Sequence, residues 1–141
     1  MSDKEIKIIT KTPTPKQYNN LRKAVGWHCL EYERAEKALN KSLFSVCAIA
    51  NKKVIGFGRI VGDGIYFYIQ DVIVEPKHQG QGIGHNIMKI LMKYLDSHAP
   101  KKSGAFVGLM IAPGIESFYR QYGFDFLPDD SPFMCEGRNG H

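Results

Sequence analysis

The chain has 141 residues, 43% of them hydrophobic and 23% charged, which is the composition of an ordinary globular domain with its own apolar core. No apolar run approaches the roughly 18 residues of a membrane span, the N-terminus lacks the apolar segment of a signal peptide, and the three cysteines form no CxxC pair. The net charge of +5 is scattered along the chain, without the basic stripe of a nucleic-acid interface. We therefore expect one cytoplasmic domain, residues 1–141, without a membrane or nucleic-acid partner.

The N-terminal half predicts a strand, two helices and an antiparallel meander. Ile6 to Thr10 is the first strand, and Thr14 with Pro15 is a good N-cap and first turn for a helix that ends at Gly26. Residues 31–41 predict a second, polar helix. Two tight turns then separate three strands, which are Leu43 to Ala50, Val54 to Val61 and Ile65 to Val74.

The C-terminal half begins with the clearest helix of the chain, which follows three glycines and ends at Ala99-Pro100. Its apolar positions repeat at helical spacing, and they are Ile83, Ile87, Ile90, Leu91, Tyr94 and Leu95. The pattern then predicts a strand from Ala105 to Ile111, a short helix from Ile115 to Tyr122 and a final strand from Phe124 to Leu127. The continuous apolar run of the first of these strands predicts burial on both faces, and the polar tail 136–141 is expected to fray.

The order β-α-α-β-β-β-α-β-α-β predicts an α/β fold of the mixed (α+β) type. The chain contains no internal repeat, linker or low-complexity segment, so these elements are expected to share one core. One mixed, mostly antiparallel twisted sheet with helices on both faces is the economical architecture for this order.

The glycines at positions 80, 82 and 84 are the strongest functional signal in the chain. They lie between a strand that ends before Pro76 and an apolar helix, where uncovered backbone N–H groups at the positive helix end bind phosphate. A P-loop requires Gly-Lys-Ser/Thr, and a dinucleotide fold requires G-x-G-x-x-G after a parallel strand. Neither pattern is present. We therefore expect a ligand that carries phosphate or pyrophosphate and that binds in neither of these two ways.

The pattern Gln79-x-x-Gly82-x-Gly84 is followed, one helix and one strand later, by Phe118-Tyr119-x-x-x-Gly123-Phe124. The first pattern resembles the coenzyme A loop of the GNAT (GCN5-related N-acetyltransferase) superfamily, and the second resembles a downstream motif of that family. The segments that begin at residues 66 and 106 look similar to small bacterial acetyltransferases and to plant serotonin-type N-acetyltransferases. The resemblance implies a GNAT fold and an acyltransferase that moves an acetyl group from acetyl-CoA directly to a primary amine.

The resemblance also implies roles for particular residues. The backbone N–H groups that would cradle the pyrophosphate of coenzyme A belong to Gln79, Gly80, Gln81, Gly82, Ile83 and Gly84. The exposed backbone of Val72 to Val74 would pair with the pantetheine arm like an added strand, and a strand bulge would supply an oxyanion donor at Val72 or Ile73. Tyr119 occupies the position of the general acid beside the leaving sulfur, and a phenol with a pKa of about 10 keeps its proton at neutral pH.

The general base stays open at this stage. Many relatives carry Glu or His at the position of Gln70, and a glutamine amide does not accept a proton, which leaves direct base catalysis from that position in doubt. Asp71 is the adjacent carboxylate, which by strict alternation faces away from Gln70 unless a bulge turns it inward. Asp71 as the base, Asp71 as a paired carboxylate of the sheet, and deprotonation through water are the three alternatives.

The acceptor pocket is expected beside the same strand, and its candidate lining residues are Trp27, Tyr66, Tyr68 and Phe133. These aromatic side chains suit a small aromatic or aliphatic amine. A protein or peptide amine is the alternative acceptor, and a coenzyme A-binding module without catalysis is the alternative class. The five histidines have no HxxxH or HExxH spacing, so no metal is expected, and a homodimer, common in the family, is left open.

Overall fold

The computed structural model describes residues 5–128, 130 and 133–136, and the chain divides between Met110 and Ile111 into two compact units. The predicted frayed tail, 136–141, lies outside the described residues except for Glu136. In the described part of the chain, no helix is long and apolar enough to cross a membrane. The same residues contain no group of three or more His, Cys, Asp or Glu side chains that could hold a metal ion.

The elements of the first unit follow the predicted order. They are β1 (Ile6–Thr10), α1 (Pro15–Ala24), α2 (Tyr32–Asn40), β2 (Phe44–Ala50), β3 (Lys53–Gly62), β4 (Tyr66–Val74), α3 (Ile83–His98) and β5 (Phe106–Leu109). A 3-10 turn, Pro76–His78, joins β4 to α3, and the second unit contains α4 (Glu116–Arg120). Helix α1 begins at the predicted cap, because the Gln17 N–H donates to Thr14 Oγ1 at 3.1 Å and the Thr14 N–H donates to Gln17 Oε1 at 2.9 Å.

The five strands of the first unit form one sheet in the order β1-β2-β3-β4-β5. The first three pairs are antiparallel and the β4–β5 pair is parallel, which confirms the predicted mixed, mostly antiparallel sheet. Helices α1 and α2 cover one face through an apolar cluster that includes Tyr18, Leu21, Ala35, Leu39, Cys47, Phe57 and Ile73. Helix α3 packs against β2, β3 and β4, and its contacts at Gly58 lie on the opposite face.

Glycines in β3 let α3 approach the sheet closely. A Cβ atom at Gly58 would lie 2.9 Å from Ile87 Cγ2 and 3.1 Å from Leu91 Cδ1, and one at Gly56 would lie 3.2 Å from Ile87 Cδ1. Carbon atoms without bonds between them prefer about 3.5–4.0 Å, so larger residues at Gly58 and Gly56 would push the helix outward. The absence of side chains at these glycines therefore allows the N-terminal half of α3 to pack closely against β3, the strand that pairs with β4.

The prediction of a final strand from Phe124 to Leu127 is wrong, since these residues lie in no strand of the structure. The Phe124 N–H turns back to the Tyr119 carbonyl at 3.4 Å, and the Phe126 N–H donates to the Asp125 carboxylate at 2.8 Å. Local partners thus take the backbone groups that a neighbouring strand would need. The predicted burial of the strand Ala105 to Ile111 on both faces is also wrong, because the shorter β5 is an edge strand whose residues are half-buried or exposed.

Candidate functional site

Strand β4 has an open edge along its second half. Its parallel pairing with β5 runs from Tyr66 to Ile69 and goes no further, so in the described residues 70–74 carry a strand partner on the β3 side alone. The Glu75 N–H donates to the Ile55 carbonyl of β3 at 2.8 Å. Because backbone groups alternate in direction along a strand, Ile73 also faces β3, whereas Val72 and Val74 direct their N–H and C=O groups to the open side.

A β-bulge interrupts β4 where this edge begins. Phe57 pairs with Ile73 and Arg59 pairs with Gln70, so Asp71 and Val72 together oppose the single residue Gly58, as in a bulge. Asp71 has a φ of +58°, a left-handed conformation that is costly for a residue with a side chain. The predicted bulge is therefore present.

The bulge turns the Asp71 carboxylate toward α1, so strict alternation does not describe this position. Tyr18 Oη and Arg59 Nε each donate a hydrogen bond of 2.8 Å to Asp71 Oδ2, and Arg22 Nη1 lies 3.9 Å from Oδ1. The side chain is 10% exposed. Since its oxygens face three donors, the contacts favour the paired-carboxylate alternative over a general base. Burial, followed by the Asp71 charge, raises the pKa of Tyr18, which keeps that hydroxyl a donor.

Gln70 lies opposite Arg59 in the register of β3 and β4. Directly opposed residues of an antiparallel pair share a face, so Gln70 shares the face that α1 and α2 cover. It is half-buried, and its amide offers no site for a proton taken from an amine. Neither candidate base on this strand is therefore a free carboxylate or imidazole.

Two glycines of the loop adopt a left-handed backbone conformation. Gly80 and Gly82 have φ values of +83° and +82°, and Gly82 is the N-cap of α3 with no side-chain cap. A Cβ atom at Gly80 or Gly82 would meet nothing within 4 Å, so the space beside these backbone atoms is open. Uncapped N–H groups at the start of a 16-residue helix suit an anion.

Two side chains tie this loop to the sheet. Gln79 Nε2 donates to the Val74 carbonyl at 2.9 Å, so the glutamine of the Gln79-x-x-Gly82-x-Gly84 pattern binds the backbone of β4. The buried Glu75 carboxylate lies 2.7 Å from Lys53 Nζ and 3.0 Å from His78 Nδ1. Burial raises the pKa of Glu75, but hydrogen bonds and charges from Lys53, together with His78, outweigh it, and the net pKa is lowered. Sequence reasoning missed Glu75, whose available signal was an acid placed directly before Pro76.

Tyr119 lies in the second unit, on α4. It is buried and packs edge-on against Phe118 and Phe124, with ring centroids 5.0 and 6.5 Å away. Burial, with a smaller effect of Tyr122, raises its pKa, so its hydroxyl stays protonated at neutral pH. Phe133, another predicted site residue, belongs to the same unit and is 70% exposed.

An aromatic platform lies at the β4–β5 pair of the first unit. Tyr66 and Tyr68 lie 6.2 and 5.9 Å from the Phe106 ring, and these three residues are called the aromatic platform below. Gly108 leaves the space for it, since a Cβ there would lie 2.7 Å from the Phe106 ring. The structure thus brings Tyr66 and Tyr68 together and adds Phe106, which sequence reasoning missed because only the strand pairing puts it there. Trp27, in contrast, stacks with the Arg22 guanidinium at 5.3 Å.

The sequence is similar to a known protein family and to individual acetyltransferases. Residues 9–137 match the acetyltransferase (GNAT) domain family. An uncharacterized ycf52-like N-acetyltransferase of Prochlorococcus marinus is 32% identical over 117 residues, which are 79% of this chain and 63% of that protein. The chloroplastic serotonin N-acetyltransferase 2 of Oryza sativa is 31% identical over 116 residues, which are 79% of this chain and 56% of that protein. The chain therefore spans about three fifths of the length of these relatives.

Solved structures share the fold over nearly the whole chain. A Staphylococcus aureus protein of unknown function, described as a probable acetyltransferase, superposes with a TM-score of 0.86 at 32% identity, covering 94% of this chain and 98% of that one. A GNAT-family acetyltransferase of Streptococcus pneumoniae has a TM-score of 0.74 at 32% identity, covering 96% of this chain and 100% of that one. These likenesses confirm the expected fold.

We expect Glu75→Gln to lower the free energy of unfolding by about 1 kcal/mol near neutral pH, because it removes charge from a buried hydrogen-bonded pair. The folded pKa of Glu75 is lowered, so its contribution is full above the unfolded carboxyl pKa of about 4.3 and is lost as pH falls through the folded value. Denaturant unfolding at several pH values measures this. Asp96→Asn, at an exposed carboxylate of α3, is the control, and a Glu75→Gln deficit that persists in acid would contradict the ion pair.

Proposed function

This chain belongs to the acetyltransferase (GNAT) family, and we propose that it transfers an acetyl group from acetyl-CoA to a small primary amine. The observation that carries the proposal is the open, bulged edge of β4 running into a glycine loop at the N-terminus of α3. Such an arrangement offers open backbone groups at two places, the β4 edge and the glycine loop, to a ligand that has a phosphate at one end and amides along its arm. The Staphylococcus and Streptococcus structures, alike over nearly their full length, support the same fold-level interpretation.

The part of the site that would bind the acetyl donor, acetyl-CoA, consists mostly of backbone atoms. The N–H groups of residues 80–84 would bind the pyrophosphate, whereas the predicted Gln79 N–H already donates to the Pro76 carbonyl at 3.2 Å. The open C=O group of Val72 would accept from an amide of the pantetheine arm. The Val74 carbonyl already accepts from Gln79, so Val74 offers its N–H to the arm. Acetyl-CoA supplies an activated thioester, and the chain supplies orientation along this edge.

The chemistry requires a bond to form between the amine nitrogen and the thioester carbon, and the carbon–sulfur bond to break. Negative charge develops first on the carbonyl oxygen, and the Val72 N–H at the bulge would stabilise it. Of the two predicted oxyanion donors, Val72 is favoured, because Ile73 faces β3. The departing thiolate would take a proton from Tyr119, as the Phe-Tyr motif suggests, and the raised pKa keeps that hydroxyl protonated at neutral pH. The tyrosinate would regain a proton from water, which also takes up the proton that the amine nitrogen releases.

The amine loses its proton to water in this proposal. Gln70 cannot accept a proton, and Asp71 is engaged by Tyr18, Arg22 and Arg59. One water molecule or a chain of water molecules would carry the proton of the ammonium group to solvent, so that no side chain acts as the base. This is the third of the alternatives that the sequence left open.

The aromatic platform supports an aromatic amine as the acceptor. Its rings include the half-exposed Tyr66, and it lies along β4 from the bulge, with Tyr68 two residues before Gln70. Flat aromatic side chains recognise an aromatic ring by stacking and edge contacts. The name of the rice relative, serotonin N-acetyltransferase 2, supports the same class of acceptor.

Gly82→Val should reduce acetyl-CoA affinity at least about tenfold in calorimetry, because the side chain would stand where backbone must approach phosphate. The matched control is Gly104→Val, since Gly104 has a φ of +89° and equally open surroundings beyond the other end of α3. Both variants should lose similar stability, about 1–2 kcal/mol, from the left-handed backbone. Equal acetyl-CoA affinity in the two variants would reject the loop assignment.

Tyr119→Phe should lower kcat about 100-fold while the KM for acetyl-CoA changes little, because a general acid acts on the leaving group rather than on binding. Tyr122→Phe is the control, since it removes the same atom from a tyrosine three residues away whose pKa is also raised by burial. Turnover is followed as free thiol. Equal turnover of the Tyr119→Phe variant and wild type would remove Tyr119 from the mechanism.

Phe106→Ala should raise the KM for an arylalkylamine such as tryptamine about tenfold, since loss of ring contacts costs about 1 kcal/mol or more. The KM for a short aliphatic amine should stay within twofold, which is the internal control. A panel that adds polyamines, aminoglycosides and lysine peptides identifies the acceptor class. Preference for peptides would overturn the small-amine proposal, and acetyl-CoA binding without turnover on any amine would favour a binding module.

A further inference from the structure

The Asp71 carboxylate is the centre of a buried network that reaches three elements. We define the Asp71 network as Asp71, Tyr18, Arg22 and Arg59. Tyr18 and Arg22 lie on α1 and Arg59 lies on β3, and Arg22 Nη1 also donates to Tyr18 Oη at 3.1 Å. Every member therefore contacts at least one other member, and the carboxylate faces the other three.

The two guanidinium groups are themselves fixed at the ends of the helices. Arg59 Nη1 donates to the Ala38 carbonyl at 3.2 Å and to Ser42 Oγ at 3.1 Å, at the C-terminal end of α2. Arg22 Nε donates to the His28 carbonyl at 2.9 Å, beyond the end of α1. A planar guanidinium bonded on two sides keeps its orientation, so the network presents a fixed set of donors to the bulge.

The conformation that these donors hold is not one that the backbone prefers. Asp71 has its φ at +58°, and a residue with a side chain stays in the left-handed region only where its surroundings hold it there. Asp71 Oδ2 accepts two hydrogen bonds of 2.8 Å, and charge-assisted bonds of this kind are among the strongest in proteins. The peptide group that follows Asp71 carries the Val72 N–H, so the direction of that N–H depends on the bulge.

We propose that Asp71 is a positioning residue, whose carboxylate, held by Tyr18, Arg22 and Arg59, keeps the β4 bulge in the conformation that aims the Val72 N–H at the reacting carbonyl. The inference rests on the proposed acetyl transfer, because it assigns the network a part in that reaction. It differs from a general base in that Asp71 takes no proton from the amine and touches neither amine nor thioester. It differs from a merely structural role in that the direction of the Val72 N–H, and with it kcat, depends on the carboxylate in addition to the packing of the sheet face.

Two variants test the network with little change in side-chain size. Asp71→Asn keeps the size of the side chain and a residue type that tolerates the left-handed region, but it removes the charge. Tyr18→Phe removes one donor to Asp71 and changes nothing on β4. Tyr94→Phe is the control, because it removes a phenol oxygen from α3, where Tyr94 stacks on Phe44.

The kinetic result expected for Asp71→Asn is a fall in kcat of at least about tenfold, since displacing an oxyanion donor forfeits part of the 100- to 1,000-fold that such a donor contributes. The KM for acetyl-CoA should stay within twofold, and the pH dependence of kcat should keep its shape. Tyr18→Phe should show the same pattern with a smaller fall. Loss of one limb of the pH profile in Asp71→Asn would overturn the proposal in favour of a base, and unchanged kcat in Asp71→Asn would overturn it outright.

Amide hydrogen exchange of Ile73, whose N–H faces β3 beside the bulge, reports opening of the bulge without any turnover. Exchange should be at least about tenfold faster in Asp71→Asn than in wild type, because opening of the bulge is no longer opposed by the carboxylate. Tyr94→Phe should leave it unchanged. A wild-type protein that transferred no acetyl group would overturn the proposed function, and exchange would then decide the positioning role alone: unchanged exchange in Asp71→Asn overturns it.

Discussion

One carboxylate, that of Asp71, connects the parts of the first unit on which the candidate site depends. Tyr18 from α1 and Arg59 from β3 converge on the same oxygen atom, while Arg59 also bonds the end of α2. A buried charge that loses its partners is strongly destabilising, so the two helices, β3 and the bulge of β4 must keep their relative positions together. The packing of one sheet face and the shape of the open strand edge are thus set by the same contacts.

The proposed acetyl-CoA site consists of backbone atoms, and the neighbouring side chains serve mainly to hold that backbone. Gly80 and Gly82 supply left-handed turns with open space beside them, and Gln79 binds the Val74 carbonyl rather than pointing to a ligand. Glu75 holds the same junction through Lys53 and His78. Every residue supplies the same backbone amide group. A site made of backbone amides therefore suits coenzyme A, a ligand that is the same in every reaction cycle.

The parts of the chain that sequence patterns predicted are those whose cause is local. The Thr14 cap, the helix after Gly82 and the glycine loop follow from residues within a few positions of one another, and the structure has all three. The partners of Asp71 are 12 to 53 residues away along the chain, and no local pattern connects them. The strand predicted from Phe124 to Leu127 is wrong for a related reason. Apolar residues form a strand only where another strand offers its edge, and a local pattern does not show whether one does.

The charge of the Asp71 network also bears on the missing base. Arg22 and Arg59 contribute two positive charges against the one negative charge of Asp71, so the network as a whole is positive. A nearby positive charge disfavours a second cation, and an ammonium group bound on this face of β4 would therefore lose its proton more readily than in water. On the proposed acceptor side of β4, the cations that hold the bulge in place would favour the neutral amine, although the candidate bases of this strand are an amide and an engaged carboxylate.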